Sequence, residues 1–352
     1  MGDRRATDRF PLVTAGGSSS KRIFSGIQPT GRKHLGNYIG AIRQYVEAQE
    51  REEAIFCIVD LHAITVDYDP IELRERVHDT AAILLAAGLD PERCILFRQG
   101  DVREHAELCW LLGAVTAWGD LNRMHQWKAK REQVERQSGA FLSAGLFNYP
   151  VLQAADVLAY RANEVPVGDD QRQHIELMRE IARRFNERFG PTLVEPEHRI
   201  PPIGARIMDL QDPTAKMSTT GGTEAGTVYV LDEPAAIVKK LRGAKTDSGR
   251  EIRRGEGKEG IENLIEILAV VRGTEPEAVE AEFAESGYGD FKSAVGEEVA
   301  AYLAPVRDRY AELRADRARL EAILATGADK AELIAADTLA DVRARMGVAE
   351  PA

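Results

Sequence analysis

The sequence predicts an α/β fold, a doubly wound parallel sheet followed by a second, mostly helical domain. Short apolar runs alternate with helix-period segments from Lys21 onward, the pattern of strands joined by crossover helices. The run AIFCIVD (residues 54–60) is apolar throughout, which suits a parallel strand covered on both faces. After about Gly226 the texture changes to helical pattern rich in Ala, Glu, Arg and Leu. A chain of 352 residues accommodates both units.

Residues 1–20 mix charges with a Gly-Gly-Ser-Ser-Ser stretch and carry no period, so they read as a flexible leader. Residues 22–27 read as a short strand, followed by a Gly/Pro loop. A helix from about Asn37 puts Tyr38, Ile39, Ile42, Tyr45 and Val46 on one face. Strand 54–60, helix 71–87 and strand 94–97 continue the alternation. Segment 149–160 (YPVLQAADVLAY) reads as a helix with its proline near the first turn. Segment 165–176 (VPVGDDQRQHIE) reads as a strand end, a glycine and an acidic helix start. Residues 228–231 read as a last short strand. Breaks at Gly243, Gly273, Gly287 and Gly327 then divide the helical remainder. The expected units are 21–226, 227–333 and a final helix in 334–352 that packs back on the sheet.

Composition narrows the class. The hydrophobic share of 44% and charged share of 29% are those of a soluble globular chain. No apolar run approaches a membrane span, and the N-terminus lacks a secretory core. Cys57, Cys94 and Cys109 show no CxxC spacing, so they read as core residues in a reducing cytoplasm, with no metal site expected. A net charge of −11 argues against indiscriminate nucleic-acid coating but leaves room for a local basic face.

Three segments carry chemistry. Residues 23–42 (IFSGIQPTGRKHLGNYIGAI) form strand, glycine-rich turn and helix start, an arrangement that favours phosphate. Gly31 and Gly36 allow close backbone approach, and His34 can donate to a developing charge. The same features also describe an ordinary structural turn. Within 149–160, Tyr149, Gln153, Asp156 and Tyr160 fall on one stripe. Asp156 sits among apolar residues and needs a partner, either a neighbouring loop or a ligand. Asp169 and Asp170 suit an N-cap and first turn.

The first segment, with His34-Leu35-Gly36-Asn37 in the motif slots, resembles the HIGH region of class I aminoacyl-tRNA synthetases. SGIQPTG followed by HLGNYIGAI is similar to the tryptophanyl group in particular. Residues 205–220 (ARIMDLQDPTAKMSTT) resemble the KMSKS loop, with Lys216-Met217-Ser218 matching and Thr219 and Thr220 replacing its second lysine and serine. Gly221-Gly222 follow as a hinge for closure.

The resemblance covers about Arg22 to Gly347 and implies a Rossmann-like catalytic domain with a helical anticodon-binding domain. It implies ATP as substrate, with Mg2+, at Gln28, Pro29, Thr30, Gly36, Asn37, Gly168, Asp169, Asp170, Ile207 and Lys216 through Thr220. Catalytic roles would fall to His34, Lys128 and Lys216. Tryptophan would lie against Phe24, Gly26, His62, Tyr149, Gln153, Asp156, Val167 and Gln171, with Ile27 and Val59 shaping the slot and the indole N–H on Asp156. Gln153 stands where many members carry Met. Implied partners are tRNA(Trp), L-tryptophan and a second copy in a homodimer, and no membrane. Competing readings are a tyrosyl synthetase, a small-molecule nucleotidylyltransferase, and a weakly catalytic paralogue that binds tryptophan or tRNA; Thr219 favours the last.

Overall fold

The computed structural model describes residues 21–135, 141–168, 171–199, 207–218 and 222–348, so the expected leader at 1–20 lies outside them. Five parallel strands form one sheet: β1 (Arg22–Ile27), β2 (Glu53–Ile58), β3 (Ile95–Arg98), β4 (Glu164–Pro166) and β5 (Glu197–Arg199). Their order is β3-β2-β1-β4-β5, with β1 and β2 in register from Arg22↔Glu53 to Ile27↔Ile58. This is the doubly wound, Rossmann-like arrangement that the alternating pattern predicts.

Side-chain alternation along the strands builds two cores. Ile23, Ile27, Phe56 and Leu96 face one side, and Phe24, Ile55, Cys57 and Phe97 the other. The first core continues into the helical region, where Ile261, Leu264, Phe291 and Leu303 join it without a break. The second lies under the helices Glu104–Gly113, Ala144–Leu158 and Arg172–Phe189.

Three elements depart from the sequence pattern. Residues 228–231 pair only through an isolated antiparallel bridge, His34↔Tyr229, and stay outside the sheet. The helix expected at 149–160 begins at Ala144, capped by Ser143, whose Oγ accepts the Leu146 N–H at 3.0 Å. Pro150 is therefore in its interior, and Tyr160 lies in the turn beyond its end. The final helix runs from Arg317 to Met346. Gly243, Gly273 and Gly287 do flank helices, but Gly327 sits inside this one. Its missing side chain has a packing cause: a Cβ there would lie 1.9 Å from the Leu96 carbonyl oxygen of β3. The helix thus lies against the edge strand, with Leu320 and Leu324 in the first core and Ala331, Ala335 and Val342 in the second.

Candidate active site

The strand order reverses between β1 and β4, and the ends of such strands part to leave a crevice. A cleft of about 1030 Å³ opens there. Phe24, Gly26 and Gln28 reach it from the end of β1, and Val167 and Gly168 from the end of β4. Gly26 keeps this wall close, since a Cβ there would lie 3.1 Å from Val59 Cγ1 and the valine would have to shift to admit it.

One wall is the helical run 35–48, which contains a π-turn at Tyr38–Ile42. His34 is its N-cap. His34 Nδ1 accepts the Asn37 N–H at 3.3 Å, and Asn37 Oδ1 accepts the His34 N–H at 3.2 Å. With Nδ1 occupied as an acceptor, the imidazole proton resides on Nε2. Burial, then the charges of Lys216 and Lys33, push His34 down to about 4, so it is neutral near pH 7. Gly36 and Asn37 line the cleft, while Pro29 and Thr30 lie in the preceding loop outside its lining.

Lys216 enters from a hairpin whose arms are joined by Met217 N–H to Ile207 O (3.0 Å) and Asp209 N–H to Ala215 O (2.9 Å). Ile207 and Met217 are buried and set the hairpin against the core rather than the cleft. Asn263, on the helix Glu259–Arg272, holds both backbone groups of Met208. The Ser218 carbonyl accepts from Thr227 Oγ1 at 3.3 Å. Lys128 is exposed on the helix His125–Glu135 and outside the cleft lining, although Gln126, two residues earlier, lines it. Asp169, Asp170, Thr219, Thr220 and Gly221 lie outside the described residues.

The residues of the expected amino-acid pocket line the same cleft. Tyr149, Gln153 and Asp156 descend from the helix Ala144–Leu158, His62 from the short helix Asp60–Ala63, and Gln171 from just before Arg172–Phe189. Gln153 Nε2 donates to Gln171 Oε1 at 3.4 Å, and Tyr149 Oη meets His174 Nε2 at 2.9 Å. Asp156 is almost fully buried and accepts from His62, Gln99 and His105. Burial raises its pKa, and His62 and His105 more than offset that, leaving it at about 2. The carboxylate is therefore ionised and already partnered.

Sequence reasoning missed Gln44, Tyr45 and Gln126 in the cleft wall, and Gln99 and His105 behind it. The helical period places Tyr45 only on a buried face, which it does occupy while its hydroxyl accepts from Ser25 Oγ at 2.9 Å. His105 sits between Glu104 and Glu107 in a charged helix start, so no local pattern singled it out.

A nucleotide-sized cleft at the switch point, a capped helix start on one side and a hairpin-borne lysine on the other define the class I aminoacyl-tRNA synthetase architecture. Residues 18–304 match the profile of the family described as tRNA synthetases class I (W and Y), and the chain belongs to that family. It is 48% identical over 332 residues to tryptophan–tRNA ligase 2 of Streptomyces avermitilis, covering 94% of this chain and 98% of that protein. The structure of tryptophanyl-tRNA synthetase from Mycoplasma pneumoniae superposes with a TM-score of 0.85 at 35% identity, covering 94% and 98% of the two chains. That of the Campylobacter jejuni enzyme, complexed with ADP and tryptophan, gives 0.80 at 33% identity, with coverage of 93% and 100%. The nucleotidylyltransferase reading is thereby set aside.

Proposed function

We propose that this chain activates L-tryptophan with ATP and transfers it to tRNA(Trp). The observation that carries the reading is convergence: the His34-capped helix start, Lys216 and the Asp156 pocket all meet one cleft or its rim. The 48% identity to a named tryptophan–tRNA ligase supports the choice of amino acid.

In the first step a tryptophan carboxylate oxygen attacks the α-phosphorus of ATP, the bond to the bridging oxygen breaks, and pyrophosphate leaves. Mg2+ enters with ATP as part of the substrate. The chain supplies orientation and charge rather than a nucleophile. His34 is buried just outside the cleft lining, where as a neutral imidazole it caps the helix start and offers Nε2–H toward the phosphate. Gly36 and Asn37 at that start line the cleft, and Lys216 offsets charge on the departing pyrophosphate. Lys128 is the second cation of this proposal. Gln28, Gly36 and Asn37 face the nucleotide from the cleft wall, with Pro29 and Thr30 from the loop before it and Ser218 through Thr220 from the hairpin that Ile207 and Met217 anchor to the core. Gly168 and Asp170 hold its ribose, and Asp169 belongs to the same ATP site. Phe24, Gly26, His62, Tyr149, Gln153, Val167 and Gln171 enclose the side chain, whose indole N–H reaches Asp156. In the second step a hydroxyl of the tRNA terminal ribose attacks the adenylate carbonyl, forming the ester and releasing AMP.

The division into 21–226 as catalytic and 227–333 as anticodon-binding belongs to the same proposal, with 1–20 a leader and 334–352 the end of the final helix. Of the cations in 239–258, Lys240, Arg253, Arg254 and Lys258 are engaged in ion pairs. Lys239, Arg242, Lys245 and Arg250 are exposed and have no ion pair among the described residues, which suits an RNA backbone. A homodimer is supported by the exposed apolar side chains among the described residues: Ile64, Val66, Tyr68, Ile71, Trp110, Trp118 and Phe141 fall between 64 and 141, and only Leu333 and Val348 lie elsewhere. No helix among the described residues is long and apolar enough to cross a membrane, and a tRNA substrate places the work in the cytoplasm.

Pyrophosphate exchange into ATP, with tryptophan, tyrosine and phenylalanine supplied separately, tests the reading. Exchange with tryptophan alone is expected. Exchange driven by tyrosine would move the assignment to the sister specificity, and none with any of them would favour a binding protein without catalysis.

A further inference from the structure

The acceptor at the base of the amino-acid pocket is engaged before any ligand arrives. Asp156 Oδ1 takes two donors, Gln99 Nε2 at 2.6 Å and His105 Nδ1 at 2.6 Å. Oδ2 takes one, His62 Nε2 at 2.7 Å. Each carboxylate oxygen has two lone-pair directions, so Oδ1 is full and Oδ2 retains one. The donors behind Oδ1 are themselves fixed. Gln99 Oε1 accepts the Leu61 N–H at 3.1 Å, which turns its amide nitrogen toward Asp156. His105 Nε2 meets the Tyr160 hydroxyl at 2.7 Å, and a hydroxyl donating there leaves the imidazole proton on Nδ1, facing Asp156. Gln99, His105 and Tyr160 are fully buried and lie outside the cleft lining, whereas Asp156, His62 and Phe24 line it. The Tyr160 ring stacks on Phe24, with centroids 5.4 Å apart and planes 12° from parallel. The relay from Tyr160 through His105 therefore ties the Phe24 wall of the pocket to its carboxylate.

We propose that Gln99, His105 and Tyr160 are positioning residues for amino-acid selection, dedicating Asp156 Oδ1 to the scaffold and leaving only the open lobe of Oδ2, beside His62, for the donor of the incoming side chain. The inference rests on the tryptophan-activating reading above. It gives that reading a mechanism of choice. An indole N–H has a proton to give and no lone pair to satisfy, which is what one vacant acceptor lobe accommodates. A phenol can fill the lobe, but its oxygen then needs a donor, and the cleft-facing N–H of His62 is already used on Oδ2. Phenylalanine leaves the lobe vacant with three donors still in place, a smaller penalty than an unpartnered acceptor would impose.

Tryptophan-dependent pyrophosphate exchange of the full-length protein tests this with three variants. His105→Leu removes the donor to Oδ1, His105→Asn restores an N–H close to the Nδ1 position, and Tyr160→Phe keeps the stacked ring but removes the hydroxyl. The expected result is a KM for tryptophan raised about tenfold or more in His105→Leu, with the KM for ATP unchanged, and largely restored in His105→Asn. Tyr160→Phe should raise the same KM severalfold with the KM for ATP unchanged, a split that the loss of stability from an unpartnered His105 would not produce, and it decides alone if His105→Leu does not fold. An unchanged tryptophan KM, or equal shifts in the KM values for tryptophan and ATP, would overturn the proposal. Wild-type protein showing no tryptophan-dependent exchange would instead overturn the functional reading on which it rests.

Discussion

Asn263 grips Met208 at both of its backbone groups: Oδ1 accepts the Met208 N–H at 2.9 Å, and Nδ2 donates to the Met208 carbonyl at 3.1 Å. Asn263 belongs to the helical region and Met208 to the hairpin that carries Lys216, so the cleft lysine is hung from a helix outside the sheet's own connections. Asn263→Leu should lower stability by about 2 kcal/mol, because both groups lose their partner. It should also raise the KM for ATP while leaving the KM for tryptophan unchanged. Urea unfolding and exchange kinetics at varied ATP check the two halves.

Gly327→Ala is the sharpest packing test. A Cβ 1.9 Å from the Leu96 carbonyl oxygen has backbone on both sides of the clash, so neither partner can rotate away. The substitution should cost about 1–3 kcal/mol despite the better helix propensity of alanine. A lowered melting temperature checks it; the native alanine at the next position, Ala328, shows that the helix itself tolerates the residue.

His34 gives a pH signature. Its folded value of about 4 lies below the ordinary 6.5, so between those limits the unfolded chain binds a proton that the folded chain refuses. The contribution is fully present above pH 6.5 and is lost as pH falls toward 4. His34→Asn, which keeps a capping side chain, should therefore show a flatter loss of stability across that window. Comparing urea midpoints of the two proteins from pH 7 to 4 isolates the difference.

Reversing Lys239, Arg242, Lys245 and Arg250 to Glu together should leave tryptophan-dependent exchange intact and weaken tRNA binding. Every RNA phosphate that these cations no longer neutralise should flatten the salt dependence of binding, by roughly 0.7–0.9 in the logarithmic slope. Filter binding at several salt concentrations, beside exchange without tRNA, separates the two activities.

The strands β1, β2 and β3 were legible because each is an apolar run bounded by charge, glycine or proline, within a residue or two of its observed limits. Residues 228–231 have the same composition but pair with the loop at His34, and no local pattern distinguishes a bridge from a ladder. Gly327 reads as a break for a similar reason: a glycine that makes room for a neighbour and one that ends a helix look alike until the adjoining strand is in place. The cleft residues on strand ends and on the 149–160 stripe were visible because they share short segments. Gln99 and His105 were not, since they meet Asp156 across 57 and 51 residues of chain.

The final helix has a consequence in time. A ribosome delivers β3 at residues 95–98 and its outer cover, centred on Gly327, more than two hundred residues later. Throughout that interval the sheet has a bare margin of the kind that recruits foreign strands. The nascent chain therefore stays incomplete, and in need of shelter, until the helix Arg317–Met346 has left the exit tunnel.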